Sequence, residues 1–189
     1  DLHFAPTQLA REGLIAENVP PGRIHVTGNT LIDALRDTER LIERMPACVS
    51  GLDEIADRLR GQRIIVVTAH RRENFGNGLA NIAMAIDHLS ARRDVAFVIP
   101  VHPNPSIRPH MEAVLSGKEN VVLVTALDYA HFVRLLQLAD LVLTDSGGVQ
   151  EEAPALGKPV LVLRETTERP EGVMAGTARL VGTHHISIV

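Results

Sequence analysis

Short apolar runs alternate along the chain with longer stretches in which apolar residues recur every three or four positions. Segments 63–68 (RIIVVT), 95–101 (VAFVIPV), 121–125 (VVLVT), 141–144 (LVLT, within the apolar stretch 139–144) and 160–163 (VLVL) have strand length. Their near-continuous Val, Ile and Leu content predicts strands covered on both faces. Segments 79–89, 106–115, 129–138 and 149–156 carry helical spacing. This alternation predicts an α/β domain, a Rossmann-like parallel sheet sandwiched by helices. Ligands in such folds bind beyond the carboxyl ends of the strands, so the loops after Thr68, Val101, Thr125, Thr144 and Leu163 are where chemistry is expected.

The first portion follows another rhythm. Residues 1–7 read as a strand ending in a Thr7 cap, 8–17 as a helix, Pro-Pro-Gly at 20–22 as a turn, 24–28 as a short strand and 29–45 as a helix. Residues 1–29 are read as the end of a preceding domain with its connection, and 30–189 as the main domain. A chain that opens on Asp1 and stops after Ile-Ser-Ile-Val reads as a piece of a longer protein. It contains no internal repeat and no low-complexity tract.

Composition narrows the function classes. A formal net charge of −4 argues against nucleic acid or a membrane surface as partner, since both call for a basic excess. Any anion site must therefore be built from local donors. The single cysteine, Cys48, leaves no internal disulfide and fits a reducing, cytoplasmic compartment. No apolar run reaches membrane-spanning length.

The most informative stretch is 145–154, Asp-Ser-Gly-Gly-Val-Gln-Glu-Glu-Ala-Pro, which runs from a buried strand into a turn and a helix start. Two glycines let backbone N–H groups approach a ligand, and the helix start adds partial positive charge, which suits a phosphate or diphosphate. A plain helix cap with a tight turn is the alternative. Glu151 and Glu152 lie one turn in, with nothing obvious in the sequence to neutralise them; a carboxylate so placed suits the hydroxyls of a ribose.

The other strand-end loops are also polar. Residues 69–78 hold His70, Arg71, Arg72, Glu73 and Asn74, and 102–105 hold His102 and Asn104 in a loop stiffened by Pro103 and Pro105. Tyr129 and Phe132, three apart on a first helical turn, suit either a base stack or the core. Residues 164–172 bring Arg164, Arg169, Thr166 and Thr167 to the same edge, where Arg169 suits a diphosphate clamp. Neither histidine has the neighbours of a metal site, so metal-free chemistry is expected. The absence of GxGxxG and GxxxxGK[ST] motifs argues against a dinucleotide cofactor and P-loop hydrolysis. The sum describes a nucleoside-diphosphate pocket.

At these residues the chain resembles a known family. VTGNTLIDAL (26–35), TAHRRENFG (68–76), PVHPNP (100–105) and DSGGVQEEAPALGKPVLVLRETTERPE (145–171) are similar to the non-hydrolysing bacterial UDP-N-acetylglucosamine 2-epimerases. The resemblance implies the C-terminal half of a two-domain glycosyltransferase-B-type fold that binds UDP. It implies that Ser146, Gly147 and Gly148 hold the diphosphate, Glu152 the ribose, Phe132 and Leu127 the uracil, and Arg169 the phosphates. His70 would be the catalytic histidine, and Arg71 and His102 would belong to a neighbouring allosteric site. The implied reaction converts UDP-GlcNAc to UDP-ManNAc with no cofactor, by eliminating UDP to a 2-acetamidoglucal and adding it back. The carboxylates that move the C2 proton would lie in an N-terminal domain outside this chain, so the chain alone is expected to bind UDP weakly and not to epimerise. A homodimer is implied as well. Competing readings are a glycosyltransferase of the same fold, the hydrolysing epimerase that releases free sugar, and a non-catalytic UDP-sugar-binding module.

Overall fold

The structure, a computed structural model, describes residues 1–102, 104 and 107–189. Six parallel strands form the main sheet: β3 (Arg63–Thr68), β4 (Val95–Val101), β5 (Val121–Thr125), β6 (Leu141–Thr144), β7 (Val160–Val162) and β8 (Ala178–Leu180). Their order across the sheet is β5-β4-β3-β6-β7-β8. The chain therefore builds outward from β3 in one direction and from β6 in the other. The boundary between β3 and β6 is the topological switch point, where the loops above neighbouring strands part and leave a crevice.

The continuous apolar runs sort into two faces. Ile65, Val67, Phe97, Ile99 and Val101 pack on one side with α4 (Asn77–Leu89) and α5 (Arg108–Leu115). Ile64, Val66, Ala96, Val98 and Val142 pack on the other with α3 (Leu52–Arg58), α6 (Tyr129–Leu138) and α7 (Val149–Ala155). Alternation of side chains along each strand makes both layers from one run. A third cluster joins α2 (Thr30–Arg44) to α6 through Leu35, Ile42 and Val133.

Residues 3–26 stand apart from that sheet. β1 (His3–Ala5) and β2 (Ile24–Val26) pair in parallel as a two-stranded sheet, joined by α1 (Gln8–Ala16). Thr7 caps α1 as expected, its hydroxyl accepting from the Ala10 N–H at 3.0 Å. Asn29 caps α2 by accepting from the Leu31 N–H at 3.1 Å, so it precedes the helix rather than opening it.

Several boundaries move. The α4 helix starts at Asn77, two residues before its apolar pattern; β6 begins at Leu141 and β7 ends at Val162. The α1, α2 and α7 helices stop a residue short of the apolar pattern, at Ala16, Arg44 and Ala155. The α5 helix is described from Arg108; Ser106, expected to open it, and the stiffening Pro103 and Pro105 lie outside the described residues. The short elements α3, α8 (Pro170–Met174), β8 and α9 (His185–Ile188) have no sequence expectation.

Candidate functional site

Thr68 and Thr144, the last residues of β3 and β6, stand opposite one another in register, with hydroxyl oxygens 2.6 Å apart. The chain then diverges into the His70 loop on one side and the Ser146-Gly147-Gly148 turn on the other. The Thr144 hydroxyl also accepts from the Ser146 N–H at 3.0 Å, which sets the entry angle of that turn. Among the described residues no group accepts from the N–H groups of Gly147, Gly148 or Val149. Three adjacent unsatisfied amides at the first turn of α7 form an anion cradle. Gly147 also leaves room for the charged groups above it: a Cβ there would lie 2.8 Å from Glu168 Oε1 and 3.4 Å from Arg71 Nη2.

Charged side chains close over this cradle. Arg71 Nη2 donates to Glu168 Oε1 at 2.9 Å, and Arg164 donates to Glu168 Oε2 and to Glu73 Oε1. Glu168 is half exposed. Its partial burial works to raise its carboxyl, but its own backbone N–H, Arg164 and Arg71 prevail and hold it at about 2. The loop expected to be functional is thus folded as a bridge, with two arginines meeting on one carboxylate. Arg71, Gly147 and Glu168 are in mutual reach.

Both carboxylates of α7 have partners, but only Glu151 meets a cation. The Arg169 guanidinium donates to Glu151 through Nε, and Asn29 Nδ2 donates to the other Glu151 oxygen at 2.8 Å. Both partners are distant in sequence, which is why the pairing was not visible there. Glu152 is 4% exposed and accepts from the Tyr129 hydroxyl at 2.8 Å. Burial pushes the Glu152 carboxyl up; the Tyr129 hydrogen bond pulls it back, and the neighbouring Glu151 charge adds to the rise. The Tyr129 hydroxyl is thus tied to Glu152, and the residue is 39% exposed rather than part of the core. Phe132 and Leu127 are half-buried against the α6 side of the core, on the loop and first turn that follow β5.

His70 leaves β3 at the switch point, its side chain 38% exposed. Its ring stacks on that of His102, with centroids 5.7 Å apart and planes at 12°. His102 Nδ1 accepts from the Asn104 N–H at 3.1 Å. The sequence reading gave Asp145 no role, yet it anchors the whole loop. This fully buried carboxylate accepts at Oδ2 from the His70 N–H (2.9 Å), the Arg71 N–H (2.8 Å) and Asn74 Nδ2 (2.9 Å). An acid at a buried strand end, across the switch point from an Asn-containing loop, was the available signal.

Beside the cradle, a cleft of about 560 Å³ is lined by Thr7, Asn29, Glu151, Glu168, Arg169 and Gly172 among others. A larger open depression of about 980 Å³, bordered by Arg58, Arg92 and Lys118, lies at the amino ends of the strands, away from this chemistry. Its cations are largely occupied: Lys118 pairs with Asp87, Arg92 with Asp94, and Arg58 with the Glu119 carbonyl.

A family model described as UDP-N-acetylglucosamine 2-epimerase matches residues 1–189. The chain belongs to this family. A probable UDP-N-acetylglucosamine 2-epimerase of Ralstonia nicotianae is 50% identical over 184 residues, which cover 96% of this chain and 49% of the relative. The crystal structure of the Neisseria meningitidis UDP-GlcNAc 2-epimerase bound to UDP-GlcNAc superposes with a TM-score of 0.89 at 42% identity, covering 99% of this chain and 51% of that one. The S. aureus MnaA–UDP co-structure gives a TM-score of 0.87 at 40% identity over 100% of this chain and 50% of that one. The chain thus spans about half the length of the curated relatives it matches. The helix-flanked parallel sheet expected as half of a glycosyltransferase-B-type fold is the architecture shared with these family members. Among the described residues no helix is long and apolar enough to cross a membrane.

Proposed function

We propose that this chain is the UDP-binding C-terminal half of a non-hydrolysing UDP-N-acetylglucosamine 2-epimerase, which interconverts UDP-GlcNAc and UDP-ManNAc. The observation that carries the reading is the row of free amides at Gly147, Gly148 and Val149, set at the switch point and ringed by Arg71, Arg164 and Arg169. Relatives whose structures contain UDP-GlcNAc or UDP support the same ligand.

In this reading Ser146, Gly147 and Gly148 take the diphosphate, Arg169 exchanges Glu151 for phosphate oxygens, and Glu152 holds the ribose with Phe132 and Leu127 beside the uracil. The C2–H and C1–O bonds of the sugar break, a C1=C2 bond forms, and the C1–O electron pair leaves with UDP. Addition of UDP at C1 and of a proton to the opposite face of C2 gives the epimer. Elimination leaves negative charge on the departing diphosphate, so preorganised amides and cations there lower the barrier. His70, across the switch point from Ser146, exchanges a proton with the leaving group.

The carboxylates that act at C2 would come from the N-terminal domain, whose end we assign to residues 1–29, with 30–189 as the UDP-binding domain. The separate β1–β2 sheet supports that boundary. Arg71 and His102 border an allosteric nucleotide-sugar site in this scheme, and the complete enzyme is a cytoplasmic homodimer. Calorimetry with UDP, and NMR of C2 deuterium incorporation in solvent D₂O, test it together. UDP binding without C2 exchange by this chain, and exchange once the N-terminal half is joined to it, are expected; absence of UDP binding would overturn the reading.

A further inference from the structure

The buried Asp145 carboxylate uses its two oxygens very differently. Oδ2 accepts three hydrogen bonds, two from the backbone of residues 70 and 71 and one from Asn74. Oδ1 accepts none, and it is the one buried side-chain polar atom without a hydrogen bond among the described residues. A bare carboxylate oxygen at 0% exposure is costly unless something meets it. What faces it is His70 Nδ1, 3.4 Å away, a contact that stops just short of a hydrogen bond.

A carboxylate oxygen can only accept, so the imidazole nitrogen turned to it must carry the hydrogen. The other neutral tautomer would set two lone pairs against each other inside the protein. We propose that Asp145 is a positioning residue that holds His70 in its Nδ1–H tautomer, leaving Nε2 as the nitrogen that exchanges protons with the ligand. The proposal rests on the UDP reading given above and assigns how its histidine is prepared. The surrounding contacts make the arrangement rigid. The backbone bonds from residues 70 and 71 to Oδ2 fix where the imidazole begins, and Asn74, buried and bonded also to the Leu163 carbonyl at 3.3 Å, holds that oxygen in place. The His102 ring, itself tied to the Asn104 N–H, closes one face of His70 and restricts its rotation.

This arrangement has a chemical consequence. When Nε2 accepts a proton, the new positive charge on the ring lies beside a carboxylate that is already desolvated and oriented, so no reorganisation accompanies the transfer. Asparagine is the near-isosteric replacement, but it alters the site in two ways. It removes the charge, and if its oxygen keeps the three donors, its NH₂ is presented to Nδ1. An N–H facing Nδ1 favours the opposite tautomer.

Nitrogen-15 NMR of the chain, selectively labelled at histidine, reads the tautomer of His70 directly; His70→Gln assigns its signals. The wild-type ring is expected to show a protonated Nδ1 and a bare Nε2. In Asp145→Asn the proton is expected to leave Nδ1 for Nε2. A wild-type ring protonated at Nε2 alone, or a tautomer unchanged in Asp145→Asn, would overturn the proposal. The wild-type measurement decides even if the variant does not fold. Failure to bind UDP while the Nδ1–H tautomer is present would count against the UDP reading and leave the Asp145–His70 pairing standing.

Discussion

The Tyr129 hydroxyl donates to Oε1 of Glu152 at 2.8 Å, while a Cβ added to Gly148 would lie 4.0 Å from Oε2. One oxygen is thus held from behind and the other faces the mouth of the Gly-Gly turn, where a ribose would meet it. Burial raises the carboxyl and the phenol restrains the rise, so removing the phenol raises it further. A carboxylic acid whose folded value is raised destabilises the fold when ionised. That cost is absent below its unfolded value and appears as pH rises through the raised one. Glu152→Gln is therefore expected to increase Tm at neutral pH and to weaken UDP binding by roughly 10- to 100-fold, the worth of a hydrogen bond to a charged group. It should also erase the preference for UDP over 2′-deoxy-UDP. Tyr129→Phe should weaken UDP binding by roughly 3- to 10-fold, with a larger loss as pH falls. Calorimetry at several pH values and thermal melts check both; an unchanged preference for the ribose in Glu152→Gln would remove Glu152 from the sugar site.

Gly147→Ala separates binding from folding. The backbone of Gly147 does not lie in the left-handed region, so alanine is tolerated and by itself contributes about 0.4–1 kcal/mol of stability. Against this, the new Cβ must push the Glu168 carboxylate aside and loosen its pairs with Arg71 and Arg164. Arg71 and Glu168 are more than a third exposed while Arg164 is 11% exposed, so loosening these pairs costs about 1 kcal/mol. The two effects nearly cancel, and the melting temperature should move by no more than a few degrees. The methyl group, however, stands in the anion cradle, and UDP affinity should fall at least roughly tenfold for each charge-assisted bond it blocks. A variant that melts normally and binds UDP as well as the wild type would show that the anion sits elsewhere.

Glu168 acts as an internal anion over the same cradle. Held at about 2, it is charged at every pH used for assay. A carboxyl whose folded value is depressed stabilises the fold above its unfolded value, and that contribution is lost as pH falls from about 4.5 toward about 2. Any incoming diphosphate therefore competes with it for Arg71 and Arg164. Glu168→Gln should tighten UDP binding by roughly 3- to 10-fold and reduce stability only slightly, since its partners are partly solvated. Weaker binding would mean that the carboxylate helps to hold the ligand or its cations in place.

The distribution of what was legible in the sequence follows from which interactions are local. Strands β3 to β7 were readable because each is an unbroken apolar run with polar ends. The Ser146-Gly147-Gly148 turn was readable because glycine has a local conformational meaning. β8 is only Ala-Arg-Leu and α8 contains Gly172, so neither carries a period that could be recognised. The partners of the site carboxylates were hidden for a different reason. Asp145 meets donors 71 to 75 positions away, and Glu151 meets Asn29 across 122. Such pairings arise from strand order, and order is decided by packing rather than by any one segment. The Tyr129 hydroxyl meets Glu152 across 23 positions, a pairing that the local helical spacing of Tyr129 and Phe132 does not signal.

Asn29 joins three parts of the molecule. Its Oδ1 caps α2, its Nδ2 holds Glu151, and Glu151 holds Arg169. Serine and aspartate both keep the cap, so substitution can isolate the link to Glu151. Asn29→Ser breaks that link and should cost about 0.5–1.5 kcal/mol, with Arg169 still paired. Asn29→Asp instead sets a second carboxylate against Glu151. Like charges raise both carboxyls in the folded state, so this variant's stability should be greatest in mild acid and fall as pH rises through the raised values. A second anion beside Arg169 also holds that guanidinium back from phosphate. UDP affinity should therefore drop in Asn29→Asp and change little in Asn29→Ser. Urea melts between acidic and neutral pH, combined with calorimetry, distinguish these outcomes. Equal, pH-independent losses in both variants would show that Asn29 does no more than cap its helix.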